Sequence, residues 1–548
     1  MVSFFTSFSE ACVRAFILLS AVRELPAQGI VGCPIFGCTP SGSFALQLRL
    51  PSSPVRVKWK SSVLLEPLHN SLGCVGNDAG IVCPILTGKA VGYGGLSHEN
   101  GTVAWEDGIL HHPPLPLMDI FGDIIGSDGE KLLQYRPDGT VIQPVIALIP
   151  SMIDIFSLNL ADNGILLLTS SFGVLTTYFT NGVPGGTVTM RYKVNNATGT
   201  FYPIATPVIR GHRSYILAVF RAENTSSKEN GLLRLFGIDL NDQFVGKIQV
   251  VWFTDLGHLT GCDSATLTDN SLHHQQIQTF QNSAASNGSL LVHDDMIFVT
   301  LPVSHNRDTL LNKSDFWAVR DSGKQGFIKY SDALSIDDLS LYSVNPTDSL
   351  NFHTKNEGTG LLRKGVDKNF DFYEGENISN DYEGEVGHTL LWGSHKIQGK
   401  ITGLDWGGGD VKIIIEIDLS LLLRTSARIT SKIMTVRNET DSPDSILFGV
   451  SVVNKTAAFV NILKEHNISD IKNVNYVVCV TTSLESPPLV TLRWILPVPE
   501  DGTVHGQLVG IPSDTKLNNK AKNRPKDSEN IIVAYAVGES STNVFAIY

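Results

Sequence analysis

One pattern recurs along this chain and limits its folding options more than any other feature: a glycine, an alternating strand-like run, a Gly/Asp/Asn turn, and a second run ending in Trp or another aromatic. It reads "GLSHENGTVAWED" at 95–107, "GVLTTYFTNGVPGGTVTMRY" at 173–192 and "GLLRLFGIDLNDQFVGKIQVVWF" at 231–253. It returns as "FWAVRDSGKQGFIKY" at 316–330 and "YVVCVTTSLESPPLVTLRWIL" at 476–496. The first copy, "GSFALQLRLPSSPVRVKWKS" at 42–61, reads as a strand pair ending near Trp59, and the final "NVFAIY" at 543–548 reads as the first half of another. Strict alternation bounded by turn residues marks half-buried strands, and self-similarity at a period of tens of residues marks a repeat architecture.

Between the copies lie apolar runs suited to inner strands, "GDIIGSDGEKLLQYRPDG" (122–139), "NGILLLTSSFG" (163–173), "SLLVHDDMIFVT" (289–300) and "IIVAYAV" (531–537). Scarcely any stretch of 12 residues has helical period, so the class is all-β. A lone sheet of this kind exposes two apolar faces and two edges, whereas radial packing covers the faces and shortens the exposed edges. The expectation is a seven- or eight-bladed β-propeller of four-stranded antiparallel blades, one domain over 30–548. The last strand and the opening unit are expected to complete one blade together and close the ring. Two excursions interrupt the pattern: an acidic loop near 365–387, holding two Tyr-Glu-Gly-Glu runs, and a Lys/Asn-rich polar loop near 513–530.

The runs "GSFAL…VKWK", "LFGIDL…GKIQVVW" and "FWAVRDSG" resemble the repeat of the PQQ-like, quinoprotein alcohol-dehydrogenase-like propellers. In that family an Ala-x-Asp-like step and a Thr-Gly-Lys-like turn lead to a strand ending in Trp. The resemblance implies that Trp59, Trp105, Trp252 and Trp494 dock between blades. Quinoprotein dehydrogenases of this kind use an ion beside the quinone, an Asp base and, in many members, adjacent cysteines. This chain has no Cys-Cys pair and no acidic residue that matches the base, so no catalytic or cofactor-binding residue is assigned.

Other constellations are equally sparse in chemistry. The acidic stretch offers carboxylates of the type Ca²⁺ takes, but it lacks the spaced Asp loop of a dedicated site and reads as a solvated surface; no cofactor is assigned. His111-His112 and His273-His274 are adjacent pairs, and neighbours on a strand face opposite ways, so each reads as a loop pair rather than a metal site. No nucleophile elbow, zinc-protease motif or phosphate loop is present.

The start, "MVSFFTSFSEACVRAFILLSAVRELPAQG" (1–29), reads as a signal peptide with an apolar run after Arg14. Setting Cys12 aside with it leaves Cys33, Cys38, Cys74, Cys83, Cys262 and Cys479 as disulfide candidates; spacing leaves every connectivity open, the local loops 33–38 and 74–83 being the simplest. N-x-S/T sequons stand at Asn100, Asn196, Asn224, Asn287, Asn312, Asn377, Asn438, Asn454 and Asn467. A net charge of −12 disfavours nucleic acid, and no apolar run reaches membrane-spanning length. The expected product is a secreted, N-glycosylated binding or interaction scaffold for an extracellular protein or glycan. The alternative is an extracellular propeller enzyme, either a divergent quinoprotein or a carbohydrate-active enzyme.

Overall fold

A computed structural model describes residues 32–548 apart from 62–72, 241–247, 259–289, 302–313, 342–388, 438–443, 484–488, 512–529 and a few shorter stretches. The strands form eight sheets arranged as the blades of a ring, antiparallel throughout except where Ala45–Gln47 joins the sheet of blade seven. Blades one to seven span residues 75–110, 117–147, 155–189, 191–258, 290–332, 338–418 and 427–497; to the four-stranded unit blade four adds the hairpin of Arg191–Val194 and Ala197–Pro203, and blade seven adds Ala427–Ile429. Blade eight joins Thr503–Ile511, Ile531–Val537 and Thr542–Ile547 to Val57–Ser61. In each blade the first strand lies at the channel and the fourth at the rim.

The repeat unit corresponds to the third and fourth strands of a blade. That is its place in blades one, three, four, five and seven. Burial follows position: the second strand of blade three, Ile165–Ser170, is buried along its whole length, because neighbouring blades cover both its faces. The rim strand Gln249–His258 alternates, with only Trp252 and Leu256 buried, because one of its faces meets water. The hydrophobic clusters lie between successive blades: Leu117, Leu132, Leu158 and Leu168 between blades two and three, for example, and Leu217, Trp252, Ile297 and Trp317 between four and five.

Blade six was the least legible. Lys400–Gly407 and Asp410–Asp418 form its third and fourth strands, but the rim strand carries Ile415 where other copies carry an aromatic, and 342–388 separates its first two strands. The acidic stretch 365–387 and nearly all of 513–530 lie outside the described residues. One helix, Ala457–Glu465, joins the second and third strands of blade seven. Thr456 caps it, accepting from the Phe459 N–H at 3.1 Å, and Asn467, in the left-handed region at φ 60°, ends it.

The opening unit requires a correction. Its two runs do not form a strand pair. Ala45–Gln47 lies parallel to Met434–Arg437 of blade seven, and Val57–Ser61 pairs antiparallel with Thr542–Ile547 as the rim strand of blade eight. Closure of the ring by both ends of the chain is therefore observed, with "VKWKS" alone supplying the N-terminal share. The rest of the segment does something else.

Candidate functional site

The centre of the ring is filled by the protein's own residues 33–46. Cys33 and Cys38 are disulfide-bonded, which closes a tight loop, and Gly37 and Gly42 take positive φ values of 85° and 73° that favour glycine. The backbone then passes the first strands of the blades in order. Gly32–Cys33 pairs with Val75–Asn77 of blade one. Met118 N–H of blade two donates to Pro34 O at 2.8 Å, Ile209 N–H of blade four to Pro40 O at 2.7 Å, and Val292 N–H of blade five to Ser41 O at 3.0 Å. Leu341 N–H of blade six donates to Ser43 O at 2.7 Å and Thr435 N–H of blade seven to Phe44 O at 3.0 Å.

Two buried amides complete the circuit. Asn159 of blade three donates to Pro40 O at 3.2 Å and to Pro207 O at 2.8 Å. Gln507 of blade eight accepts from Gly37 N–H at 2.8 Å and donates to Ile35 O and Cys74 O at 3.2 and 2.9 Å. Every blade thus bonds to one central plug. A Cβ on Gly42 would sit 2.8 Å from Leu290 O and 2.9 Å from a Val208 methyl, so only glycine fits where the plug passes between blades four and five. Ile35, Phe36 and Phe44 give it an apolar body, and the last two stack edge to face at 5.3 Å.

Against the plug, where blades six, seven and eight meet, lies a buried charge cluster. Lys432 Nζ is 2.5 Å from Asp338 Oδ1 and Lys396 Nζ is 3.2 Å from Asp338 Oδ2. Ser394 Oγ donates to the same Oδ2 at 3.4 Å. The Lys432 ammonium stands 5.2 Å from the Phe44 ring centre and 5.9 Å from that of Phe36. Burial pulls the Lys396 pKa down to about 8 and that of Lys432 well below the usual lysine value, with Asp337 opposing both shifts. His395 and His505 are also pushed down, chiefly by burial, and His395 is held between Ser335 O and Thr402 Oγ1 at 2.7 and 2.9 Å. Sequence reasoning missed this cluster. Its one signal was charge at the start of strand-like sequence, the two aspartates of "SIDDLSL" and the lysine of "ITSKIMTV".

The tryptophans occupy the gaps between blades. Trp59 donates to His98 O and covers Gly101, Trp105 donates to Pro137 O and covers Gly139, both at 2.9 Å. Trp252 donates to Asp321 Oδ1 at 2.9 Å and lies over Gly326. Asp321 also accepts from Gly323 N–H and Tyr215 OH. In each case the indole reaches the turn region between the third and fourth strands of the next blade. Trp494 is buried with residues of blades seven and eight, but its N–H has no acceptor among the described residues. At the corresponding place in blade eight, Arg56 and Tyr548 exchange backbone hydrogen bonds, joining a third and a fourth strand that are far apart in sequence.

Cys74 and Cys83 form the second disulfide. The remaining candidate pair is corrected in one member: Cys479 is a buried free thiol, pushed up to about 12 by burial within blade seven, while Cys262 lies outside the described residues. Asn100, Asn196, Asn224, Asn454 and Asn467 are exposed; Asn287, Asn312, Asn377 and Asn438 lie outside the described residues, as do both histidine pairs. Among the described residues no three His, Cys, Asp or Glu side chains gather as a metal-binding group, and no helix is long and apolar enough to cross a membrane.

No family model matches the chain, and no curated protein matches it. Among solved structures it is similar to BamB from Moraxella catarrhalis, at 11% identity and a TM-score of 0.42, over 88% of this chain and 98% of that one. It is also similar to a europium-containing methanol dehydrogenase, at 9% identity and a TM-score of 0.38, over 96% of this chain and 98% of the other. The strands and their pairing establish what the chain is: an eight-bladed β-propeller whose N-terminal segment both fills the channel and completes the last blade.

Proposed function

We propose that this protein is a secreted, N-glycosylated propeller of the PQQ-like kind that works as a binding scaffold, engaging an extracellular protein or glycan through loops at one end of the ring. The observation that carries this reading is the plug. Catalysis on the propeller axis needs polar side chains of several blades aimed at a shared substrate, and here the innermost strands spend backbone donors on residues 34–44 instead. The exposure of all five described sequon asparagines and the two disulfides support an oxidising, glycosylating compartment.

Expression in a eukaryotic host tests the reading. The protein is expected in the medium with a mass that falls on glycosidase treatment, and the purified product is expected to bind a defined ligand on a glycan array or a cell-surface panel. An unglycosylated product confined to the cytosol would overturn the secretory part. Turnover of a sugar or alcohol substrate without stable binding would overturn the scaffold part.

A further inference from the structure

Blades six and seven meet at a lysine and an aspartate sealed from water. Lys432 is 1% and Asp338 0% exposed. The amine is 2.5 Å from Oδ1, and the Phe36 and Phe44 rings of the plug lie beside it. The second carboxylate oxygen already receives two donors, Lys396 Nζ and Ser394 Oγ. We propose that Lys432 and Asp338 condense to an isopeptide bond, Nζ to Cγ, that ties blade six covalently to blade seven.

The arrangement supplies each requirement of the reaction. Attack needs an uncharged amine, and burial favours that form of Lys432. Proton transfer from ammonium to carboxylate within the pair leaves an amine and a carboxylic acid, and the Nζ lone pair then adds to Cγ. The C=O electron pair moves onto Oδ2, where the Lys396 ammonium and the Ser394 hydroxyl stabilise the negative charge. Oδ1, already carrying one proton, accepts a second from nitrogen and leaves as water as the C–O bond breaks. One C–N bond forms, one water is released, and no oxidant or reductant is required.

Two physical terms favour the product. The groups are held at contact distance, which replaces a bimolecular encounter with a unimolecular step. The amide also replaces a buried ion pair whose desolvation is costly, while the water escapes to bulk. Because Phe36 and Phe44 complete the apolar wall, bond formation follows seating of the plug.

Peptide mapping of the intact, folded protein decides the matter. Trypsin is expected to release residues 330–355 joined to 429–437, lighter by one water than the two peptides together and uncut after Lys432. Lys432→Arg keeps the charge but removes the nucleophile, and since trypsin also cuts after arginine it should give 330–355, 429–432 and 433–437 as separate linear peptides. Quantitative recovery of a free 429–432 peptide from the wild-type protein would overturn the proposal, whether or not the variant folds.

Discussion

Trp252 and Trp494 sit on the rim strands of blades four and seven, both buried, and differ in one bond. The Trp252 indole donates to a carboxylate of the next blade, whereas that of Trp494 has no described acceptor. Replacement by Phe removes similar ring volume from each, so the comparison isolates the hydrogen bond. Trp252→Phe is expected to cost about 1.5–3 kcal/mol more than Trp494→Phe, the range for a bond to a charged group, read as the shift of the urea midpoint. Equal costs would show that ring packing alone holds the blades together. The pairing of Trp with a Gly turn was legible in the repeat; which turn each ring meets was not, because it belongs to the following blade. Lys396 offers a second measurement at this scale. Its folded pKa of about 8 lies below the usual 10.5, so between those values the unfolded chain binds a proton that the folded protein does not. Stability on this account rises with pH from about 8 to 10.5 and is flat below 8. The stability difference between wild type and Lys396→Met should therefore move in favour of the wild type across that window; no change would place Lys396 in a solvated environment.

Among the elements, the plug connects the most partners with the fewest residues. Its carbonyls accept from Met118, Ile209, Val292, Leu341 and Thr435, each on a different blade. Opening the Cys33–Cys38 loop by a Cys33→Ser/Cys38→Ser double substitution loosens a single acceptor strand shared by all five amides. Their hydrogen exchange is expected to speed up together, by roughly ten-fold or more; acceleration confined to residues near the loop would show that the plug is held blade by blade. Sequence reading took the second half of this segment for a repeat copy because "SFALQL" alternates like a strand. It does form one, Ala45–Gln47, but alternation carries no information about the partner, and here the partner is parallel and nearly 400 residues away. Blade six is hard to read for the opposite reason: its third and fourth strands are regular, but its rim strand lacks the marker aromatic and a long insertion hides the spacing.

At the scale of the molecule, closure couples every interface. Blade eight draws its third strand from Thr542–Ile547 and its fourth from Val57–Ser61, so it forms only when residues nearly 500 apart meet, a contact of high entropic cost in folding. Removing residues 543–548 deletes Val544, Phe545, Ala546 and Ile547, all fully buried, and leaves Val57–Ser61 without a partner. Loss of cooperative unfolding and rapid proteolysis of the truncated protein are expected; a native-like melting curve would show that the ring is stable while open. The sequence by itself determined the class, the four-stranded unit and the meeting of the two ends, because periodicity and turn residues are local properties that act the same way in any context, whereas the disulfide connectivity stayed open until the fold was known. Only the tertiary structure decided that the channel is filled from within, that the blades number eight rather than seven, and that Lys432 faces Asp338. Those facts depend on which strands become neighbours once the ring has closed, and the burial and electrostatics that define such a site arise only from that closure.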